Sequence, residues 1–271
     1  MYQKAWRAGG LVIFIFSCLG FFVAASETPP DSVTVVYNHI LGDSGTELHQ
    51  AGGLSAFVRF GGKTILFDAG GETSPLLQNI AALDLSIHRL DAVVISHNHW
   101  DHVYGLPGVL SVTRDDPTVY VPESAREAVL QQNPRADVVA VGEPTQIMPG
   151  IWLVGPMQVA HRSGTISEQA LVFDHEDGLI VLVGCSHPGI VTIAERVKKT
   201  LGERKIQLVA GGFHLRNTST EEIEKISQRL QQLGVKNLAP THCTGDGAIS
   251  VFRREWPDRL VAFDLGDTIK F

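Results

Sequence analysis

The stretch VVISHNHWDHVYG, residues 93–105, decides how this chain is interpreted. It places His97, His99, Asp101 and His102 within six positions, directly after an apolar run. In an extended segment the side chains of His97 and His99 point to the same side, because side chains alternate with a period of two. Asp101 and His102 follow where the chain turns, so they can face a second position nearby. Imidazole suits zinc and iron and a carboxylate adds negative charge, so the stretch predicts a metal site.

Further donor side chains stand at the ends of other strand-like segments. Each follows an apolar run that stops at glycine or proline, as expected for a site at the edge of a sheet. These donors are Asp68 in TILFDAG, Cys185 and His187 in LIVLVGCSH, His214 in LVAGGFH, and His242 and Cys243 in NLAPTHC. A disulfide between Cys185 and Cys243 is the alternative, but a histidine lies close to each cysteine, which favours metal chemistry.

Strand-like and helix-like segments alternate along the chain. Residues 61–62 and 175–178 are expected to form hairpin turns, and Ser74 to be the N-cap of the first helix. We expect strands at 33–38, 54–60, 63–70, 91–96, 118–122, 137–141, 150–155, 169–174, 179–185, 206–212 and 237–240, helices at 74–86, 124–132, 190–201 and 220–233, and a closing strand pair within 259–271. The pattern predicts one α/β (α+β) domain over residues 33–271, with two mixed sheets inside, helices outside and at most four layers.

The first residues are typical of a secretory signal. Lys4 and Arg7 precede an uninterrupted apolar stretch from Leu11 to Ala25. A basic start, an apolar segment and small residues at its end predict a signal peptide over residues 1–25, followed by a short exported linker, 26–32. An uncleaved anchor is the alternative, but this apolar stretch is short for a membrane span. The protein is therefore expected to be periplasmic or secreted, with membrane contact only through this segment.

The charge balance restricts the partners. The formal net charge is −7, and no run of lysine and arginine interrupts the acidic background. Nucleic-acid-binding proteins usually carry a basic patch, so we expect a small-molecule substrate and no nucleic-acid partner. The sequence makes no prediction about the oligomeric state.

The order of FDAG, SHNHWDH, GLIVLVGC and PTHC along the chain resembles the metallo-β-lactamase superfamily. The resemblance covers nearly the whole chain after the signal segment, and it implies a four-layer αββα sandwich with one or two metal ions at the sheet edge. The segments SEQALVF, GCSHPGI, GGFHL and PTHCTG resemble a subgroup similar to 7,8-dihydropterin-6-yl-methyl-4-(β-D-ribofuranosyl)aminobenzene 5'-phosphate synthase.

The resemblance also implies a ligand set. His97 and His99 would bind the first metal, and Asp101, His102 and His242 the second. Asp68 resembles the aspartate that steadies the ligand loop from outside the coordination sphere. Cys185 stands where the superfamily usually has an aspartate that bridges both metals, and a thiolate there would favour softer ions.

Other positions depart from the superfamily pattern or are left open by it. The third histidine of the first site is missing before the ALVF strand, and His187 is expected to replace it, with Glu168 as the alternative. His214 is expected to donate a proton or contact substrate, unless it is a hydrogen-bonded loop residue. The remaining expectations are Cys243 packed beneath His242, Trp100 at the site mouth, His161 at the pocket lip, and His39, His49, His88 and His175 in surface or loop positions.

The predicted activity is metal-dependent hydrolysis by an exported enzyme. Two divalent ions, zinc first and iron or manganese as alternatives, would activate a water that Asp101 orients and deprotonates. The substrate would be an ester, lactone, amide or phosphoester, because the fold does not decide among them. The alternatives are a pterin-phosphate synthase-like transferase, an iron-dependent sulfur dioxygenase-like oxidoreductase, and a non-catalytic metal-binding protein.

Overall fold

The computed structural model describes residues 29–161 and 164–271. The predicted signal peptide, residues 1–25, lies outside the described residues, as does the side chain of His161. The strands are β1 (Ser32–Tyr37), β2 (Ser55–Phe60), β3 (Lys63–Phe67), β4 (Ala92–Val94), β5 (Thr118–Pro122), β6 (Val138–Val141), β7 (Thr145–Met148), β8 (Ile151–His161), β9 (Gly164–His175), β10 (Gly178–Val183), β11 (Ile206–Gly212), β12 (Asn237–Thr241) and β13 (Thr268–Lys270).

The helices are distributed along the whole described chain. They are α1 (Thr73–Ala82), α2 (Trp100–Val103), α3 (Leu106–Val112), α4 (Arg126–Gln132), α5 (Ile190–Leu201), α6 (Thr220–Gln232) and α7 (Asp246–Glu255), and a single 3₁₀ turn, Glu123–Ala125, precedes α4. Among the described helices, none combines the length and the apolar character that crossing a membrane requires.

The strands form two mixed sheets. The first has the order β13-β1-β2-β3-β4-β5-β6, and the second has the order β12-β11-β10-β9-β8-β7. Strands β3 to β6 pair in parallel, as do β10, β11 and β12. Parallel neighbours end at the same edge of a sheet, so residues that follow these strands are brought together.

Side-chain alternation along the strands explains the layer order. In β10, Ile180 and Leu182 pack between the two sheets, whereas Val181 and its neighbours pack against the helices on the other face. Side chains alternate in the same way in the first sheet. Val94 faces the other sheet, and Val93 packs in the cluster beneath α1 and α3. Strands buried on both faces are nearly continuous apolar runs. The predicted four-layer αββα fold is therefore confirmed.

Both predicted hairpin turns are present. Phe60 pairs with Lys63 across Gly61 and Gly62, whose φ angles are 57° and 75°. Two successive left-handed residues make the turn that suits the twist of a hairpin, and glycine adopts that conformation without a steric cost. The HEDG segment likewise joins β9 to β10.

Two expectations about the elements are wrong. The first helix spans Thr73–Ala82, with Glu72 at the N-cap, so Ser74 lies inside the first turn and caps nothing. The chain end contains one strand, not a pair, because a turn from Asp264 to Asp267 interrupts it. In this turn the carboxylate of Asp267 accepts a hydrogen bond from the backbone nitrogen of Asp264 at 2.8 Å. Beyond the turn β13 joins the first sheet beside β1, whereas before the turn Leu260 makes only an isolated bridge to Leu238 of β12.

Candidate metal centre

Three histidines from both sheets form one group of potential metal ligands, which we call the histidine triad. Its members are His97, His99 and His187, and one ring nitrogen from each lies within 4.8 Å of the others. The ring centroids of His97 and His99 are 4.7 Å apart, and that of His187 is 4.8 Å from both. His97 follows β4 and His187 follows β10, so the triad joins the edges of the two sheets.

A second group, the carboxylate triad, consists of Asp101, His102 and His242, whose ligand atoms also lie within 4.8 Å of one another. Asp101 Oδ2 lies 3.5 Å from His242 Nε2 and 3.8 Å from His102 Nε2. Helix α2 carries Asp101 and His102, and His242 follows β12. The two triads are neighbours, since the rings of His97 and His102 are 4.2 Å apart.

Asp68 holds the first-sheet half of this arrangement. It is fully buried, and its carboxylate accepts hydrogen bonds at 2.7 Å from the backbone and hydroxyl of Ser96 and from His102 Nδ1. Burial alone would lower the pKa of His102, but the charge and hydrogen bond of Asp68 raise it to about 9. Because Nδ1 is held by Asp68, Nε2 of His102 is turned toward the site.

Glu168 holds the second-sheet half. Its buried carboxylate accepts hydrogen bonds from the backbone nitrogens of Cys185, Ser186 and His187, at 2.8–2.9 Å, and from His187 Nδ1 at 2.8 Å. Burial raises the pKa of Glu168, but the contacts with His187 and the loop outweigh this and keep the pKa below its usual range. Both carboxylate oxygens are engaged by the loop, so His187, rather than Glu168, joins His97 and His99.

Four residues of the site adopt left-handed backbone conformations. Asp68, Ser186, His214 and His242 have φ angles of 56°, 59°, 55° and 54°. Among the described non-glycine residues only Asp84 is also left-handed. Such conformations are disfavoured for residues with a Cβ and concentrate where function requires a particular direction of the chain. They turn the strand ends into the site.

Two cysteines and a histidine form a third group, the thiol cluster, made of Cys185, His214 and Cys243. Their ligand atoms lie within 4.8 Å of one another, and both cysteines are free thiols in the structure. The sulfur of Cys185 is also 3.3 Å from His102 Nε2. A hydrogen bond with Cys243 and burial raise the pKa of Cys185, and hydrogen bonds from Cys185 and His214 lower that of Cys243.

The three groups border a single cavity of about 350 Å³, which we call the metal cavity. Arg216 and His39 also line it, and the guanidinium of Arg216 lies 3.4 Å from His39 Nε2. Arginine can only donate, so His39 Nε2 accepts this contact. Burial lowers the pKa of His39, and the nearby His242 and Arg216 lower it further.

The donor atoms fit a divalent metal ion. His97 Nε2 is buried and has no hydrogen-bond partner among the described residues. Leaving such an atom unsatisfied costs about 1–3 kcal/mol, and a bound cation would remove that cost. Imidazole and carboxylate ligands suit zinc, iron and manganese, and the cysteine adds a softer ligand.

Three sequence expectations concern the cavity wall. His39, expected in a surface or loop position, does lie in a loop, but it also lines the metal cavity, with its ring 5.7 Å from that of His242. Cys243 was expected to pack beneath His242, yet it also lines the cavity. Trp100 is 54% exposed, and its ring lies against Gly52 at the cavity wall.

The sequence reasoning missed three residues of the cavity wall, Gly52, Gly53 and Arg216. Glu168, expected only as an alternative metal ligand, is instead the anchor of the Cys185 loop. The role of Glu168 could have been suspected from the sequence. It is an acidic residue within the apolar strand SEQALVF, and a buried carboxylate needs a hydrogen-bonding partner. Outside the site, His88 Nδ1 contacts the Val112 carbonyl at 3.0 Å, and the ring of His175 lies near Phe271.

The fold and these donor groups define a class of metal-dependent α/β proteins, and comparison with known proteins gives its name. Residues 50–191 match the sequence profile of the metallo-beta-lactamase superfamily, and the chain belongs to that superfamily. A crystal structure of a metal-dependent hydrolase of the beta-lactamase superfamily is similar to this chain at 27% identity, with a TM-score of 0.75 over 89% of this chain and 99% of that one. The predicted family is thereby confirmed.

Two curated relatives extend the comparison. The chain is 29% identical over 249 residues to the 7,8-dihydropterin-6-methyl-4-(beta-D-ribofuranosyl)-aminobenzene-5'-phosphate synthase of Methanocaldococcus jannaschii, covering 77% of this chain and 85% of that protein. It is 37% identical over 99 residues to ribonuclease Z of Nanoarchaeum equitans, covering 34% of this chain and 30% of that protein. Membership of this superfamily supports the presence of a divalent metal site and an enzymatic function. The similar proteins include both hydrolases and a synthase.

Proposed function

We propose that this protein is a metal-dependent hydrolase that uses an activated water on an ester, lactone, amide or phosphoester. The observation that carries the proposal is the convergence of the histidine triad and the carboxylate triad on one cavity. In this proposal the ligands are His97, His99, Asp101, His102, Cys185, His187 and His242. Divalent ions held there, zinc in the first place, would supply a Lewis acid and a water of lowered pKa.

Asp101 is suited to bind a cation and to orient a water. Burial raises its pKa, but the hydrogen bond from His242 and the charge of His102 outweigh burial and hold the pKa well below its usual range. The side chain is therefore a carboxylate at neutral pH, and it is 22% exposed toward the cavity. In the proposed reaction it orients the attacking water and accepts its proton.

Other side chains would position ligands and substrate. Asp68 and Glu168 fix the ring orientations of His102 and His187 through the Nδ1 hydrogen bonds described above. His214 stands at the cavity, its ring centroid 4.6 Å from that of His187, where it can contact substrate or supply a proton to a leaving group. Arg216 brings a permanent positive charge to the same wall, which would favour an anionic substrate.

A small molecule fits this proposal better than RNA. The metal cavity has a volume of about 350 Å³, and the chain carries a net charge of −7. Proteins that bind nucleic acid neutralise phosphates with clusters of lysine and arginine. We also propose that residues 1–25 direct export and that residues 33–271 form the exported domain, which would place the reaction in the periplasm or outside the cell.

A synthase is the second candidate, because the similarity to the Methanocaldococcus jannaschii enzyme spans most of both chains. A synthase of that kind would use the same donor groups to activate a phosphorylated substrate rather than water. The two candidates differ in what they consume, so product analysis separates them.

The test combines metal analysis with a panel of chromogenic ester, lactam and phosphodiester substrates. We expect about two equivalents of zinc, iron or manganese and hydrolysis of an activated ester or phosphodiester. His99→Ala should lose both metal and activity, whereas His88→Ala, outside the metal cavity, should retain both. Hydrolysis that persists after complete metal removal would overturn the proposal. Metal binding with no hydrolysis of any substrate would favour the synthase.

A further inference from the structure

The three residues of the thiol cluster occupy equivalent places in the second sheet. Strands β10, β11 and β12 are parallel neighbours that end at Val183, Gly212 and Thr241. Cys185, His214 and Cys243 each follow two residues later. The sheet itself therefore delivers one donor from each of three successive strand ends to one place.

The surroundings hold these donors close while leaving one side open. Cys185 is 4% exposed, and its backbone nitrogen donates to Glu168 at 2.9 Å, so its position is fixed. Cys243 packs against Gly212, where an added Cβ would lie 2.6 Å from its sulfur. All three members line the metal cavity, which leaves a path for an ion to enter.

We propose that Cys185, His214 and Cys243 form a further binding site for a thiophilic metal ion beside the two triads, which shares Cys185 with the proposed hydrolytic centre. Two thiols and one imidazole form a ligand set that soft or borderline ions such as Cd²⁺ and Zn²⁺ favour, and three protein ligands leave a fourth position open to the cavity. Binding of M²⁺ forms two metal–sulfur bonds, and the two S–H protons pass to solvent.

The site differs in chemistry from the two triads, which contain five imidazoles, those of His97, His99, His102, His187 and His242, and the carboxylate of Asp101. Cys185 lies on the boundary, since its sulfur is 3.3 Å from His102 Nε2. Cys243 lies in none of the other donor groups formed by the described residues, so it separates the two kinds of site in an experiment.

The test is a Cd²⁺ titration of the reduced, metal-free full chain in a Cys18→Ser background, so that only Cys185 and Cys243 supply thiolates. The readouts are the thiolate-to-cadmium charge-transfer absorption and the number of equivalents bound by calorimetry. Cys243→Ser should lose one equivalent and roughly half of the absorption, because Cys185 then remains as the one thiolate, bound to an ion in the neighbouring triads. His214→Ala should keep the absorption at saturation but weaken that equivalent by about tenfold or more.

His39→Gln is the matched control, because His39 lines the same cavity but lies outside the thiol cluster, and it should leave the absorption unchanged. Circular dichroism establishes whether each variant is folded. If Cys243→Ser does not fold, the Cd²⁺ affinity of His214→Ala still tests the inference. An unchanged number of equivalents in Cys243→Ser, or an unchanged affinity in His214→Ala, would overturn the inference and leave the proposed hydrolase intact. A chain that bound Cd²⁺ only through its thiols would support the inference and overturn the hydrolase.

Discussion

The two sheets contribute to the candidate metal centre in different ways. The first sheet supplies its donors from one continuous stretch, residues 97–102, which runs from the end of β4 into α2. The second supplies them from three loops, after β10, β11 and β12, which are far apart in the sequence. The first half is a motif, whereas the second half exists only after the sheet has aligned its strand ends.

Each half also depends on its own buried carboxylate. Asp68 binds two side chains of its half, those of His102 and Ser96, and the Ser96 hydroxyl in turn contacts His97 Nδ1 at 2.8 Å. Glu168 binds three successive backbone nitrogens as well as the ring of His187. Asp68 therefore orients individual ligands, His102 directly and His97 through Ser96, whereas Glu168 determines the path of a whole loop. This contrast predicts a larger structural effect for Glu168 and a more selective functional effect for Asp68.

The largest effect is expected for Glu168→Ala. The change leaves four buried donors without their acceptor, and removing one member of a buried network costs about 3–5 kcal/mol. Urea unfolding of the metal-free protein should show this loss, and the chain should bind metal poorly. Glu168→Gln keeps one acceptor oxygen and should lose clearly less stability. Equal stability of the alanine variant and the original chain would remove the distinction between the two halves.

Asp68→Asn should act on function more than on folding. The amide has nearly the same shape but cannot accept all three hydrogen bonds, so the ring of His102 loses its fixed orientation. Changes of this kind typically cost 10–100-fold in metal affinity or activity. Competition with a chelator measures the metal affinity, and kcat/KM measures the activity. A metal affinity within twofold of the original chain would show that Asp68 is not needed to orient His102.

Gly212→Ala probes the packing of the second half. Its Cβ would lie 2.4 Å from the Gly184 carbonyl and 2.6 Å from the sulfur of Cys243, so the strand ends must move apart. Overpacking of this kind costs about 1–3 kcal/mol. The control is Gly247→Ala in α7, where an added Cβ meets nothing within 4 Å. Thermal unfolding should separate the two variants, with the control unchanged or slightly more stable.

The pH dependence tests the first half. The pKa of His102 is raised to about 9 by Asp68, so protonated His102 stabilises the metal-free fold. A raised folded-state pKa gives stability that is fully present below the unfolded pKa of about 6.5 and is lost as the pH rises through the folded value. The metal-free protein should therefore become less stable between pH 7 and pH 10. Asp68→Asn should make this loss much smaller, which denaturant titrations at several pH values will measure.

The sequence revealed the fold because its strands are buried on both faces and therefore leave apolar runs. The helix at 190–201 and the strand at 206–212 were predicted with the observed bounds. Helices α2 and α3 and strand β7 were missed, since each is too short to show a period. Helix α7, which contains glycine and β-branched residues, was missed because its intrinsic helix propensity is low.

The site was harder to predict than the fold. The motif from His97 to His102 could be recognised because its donors are contiguous. Glu168 and His39 could not be assigned, because their roles depend on contacts across the molecule, with the Cys185 loop and with Arg216. One sequence carries no record of such contacts, although a carboxylate within an apolar strand is a usable warning.

The left-handed residues at the strand ends have a consequence for engineering this chain. A non-glycine residue in that conformation costs on the order of 1–3 kcal/mol, and glycine would relieve the cost. A glycine substitution at Asp68, His214 or His242 would remove a functional side chain. At Ser186 it would remove only a hydroxyl, which donates to the Gly212 carbonyl. Glycine at Asp68 would also leave the buried donors of Ser96 and His102 without an acceptor. Ser186→Gly is therefore the substitution with which thermal tolerance can rise while turnover survives.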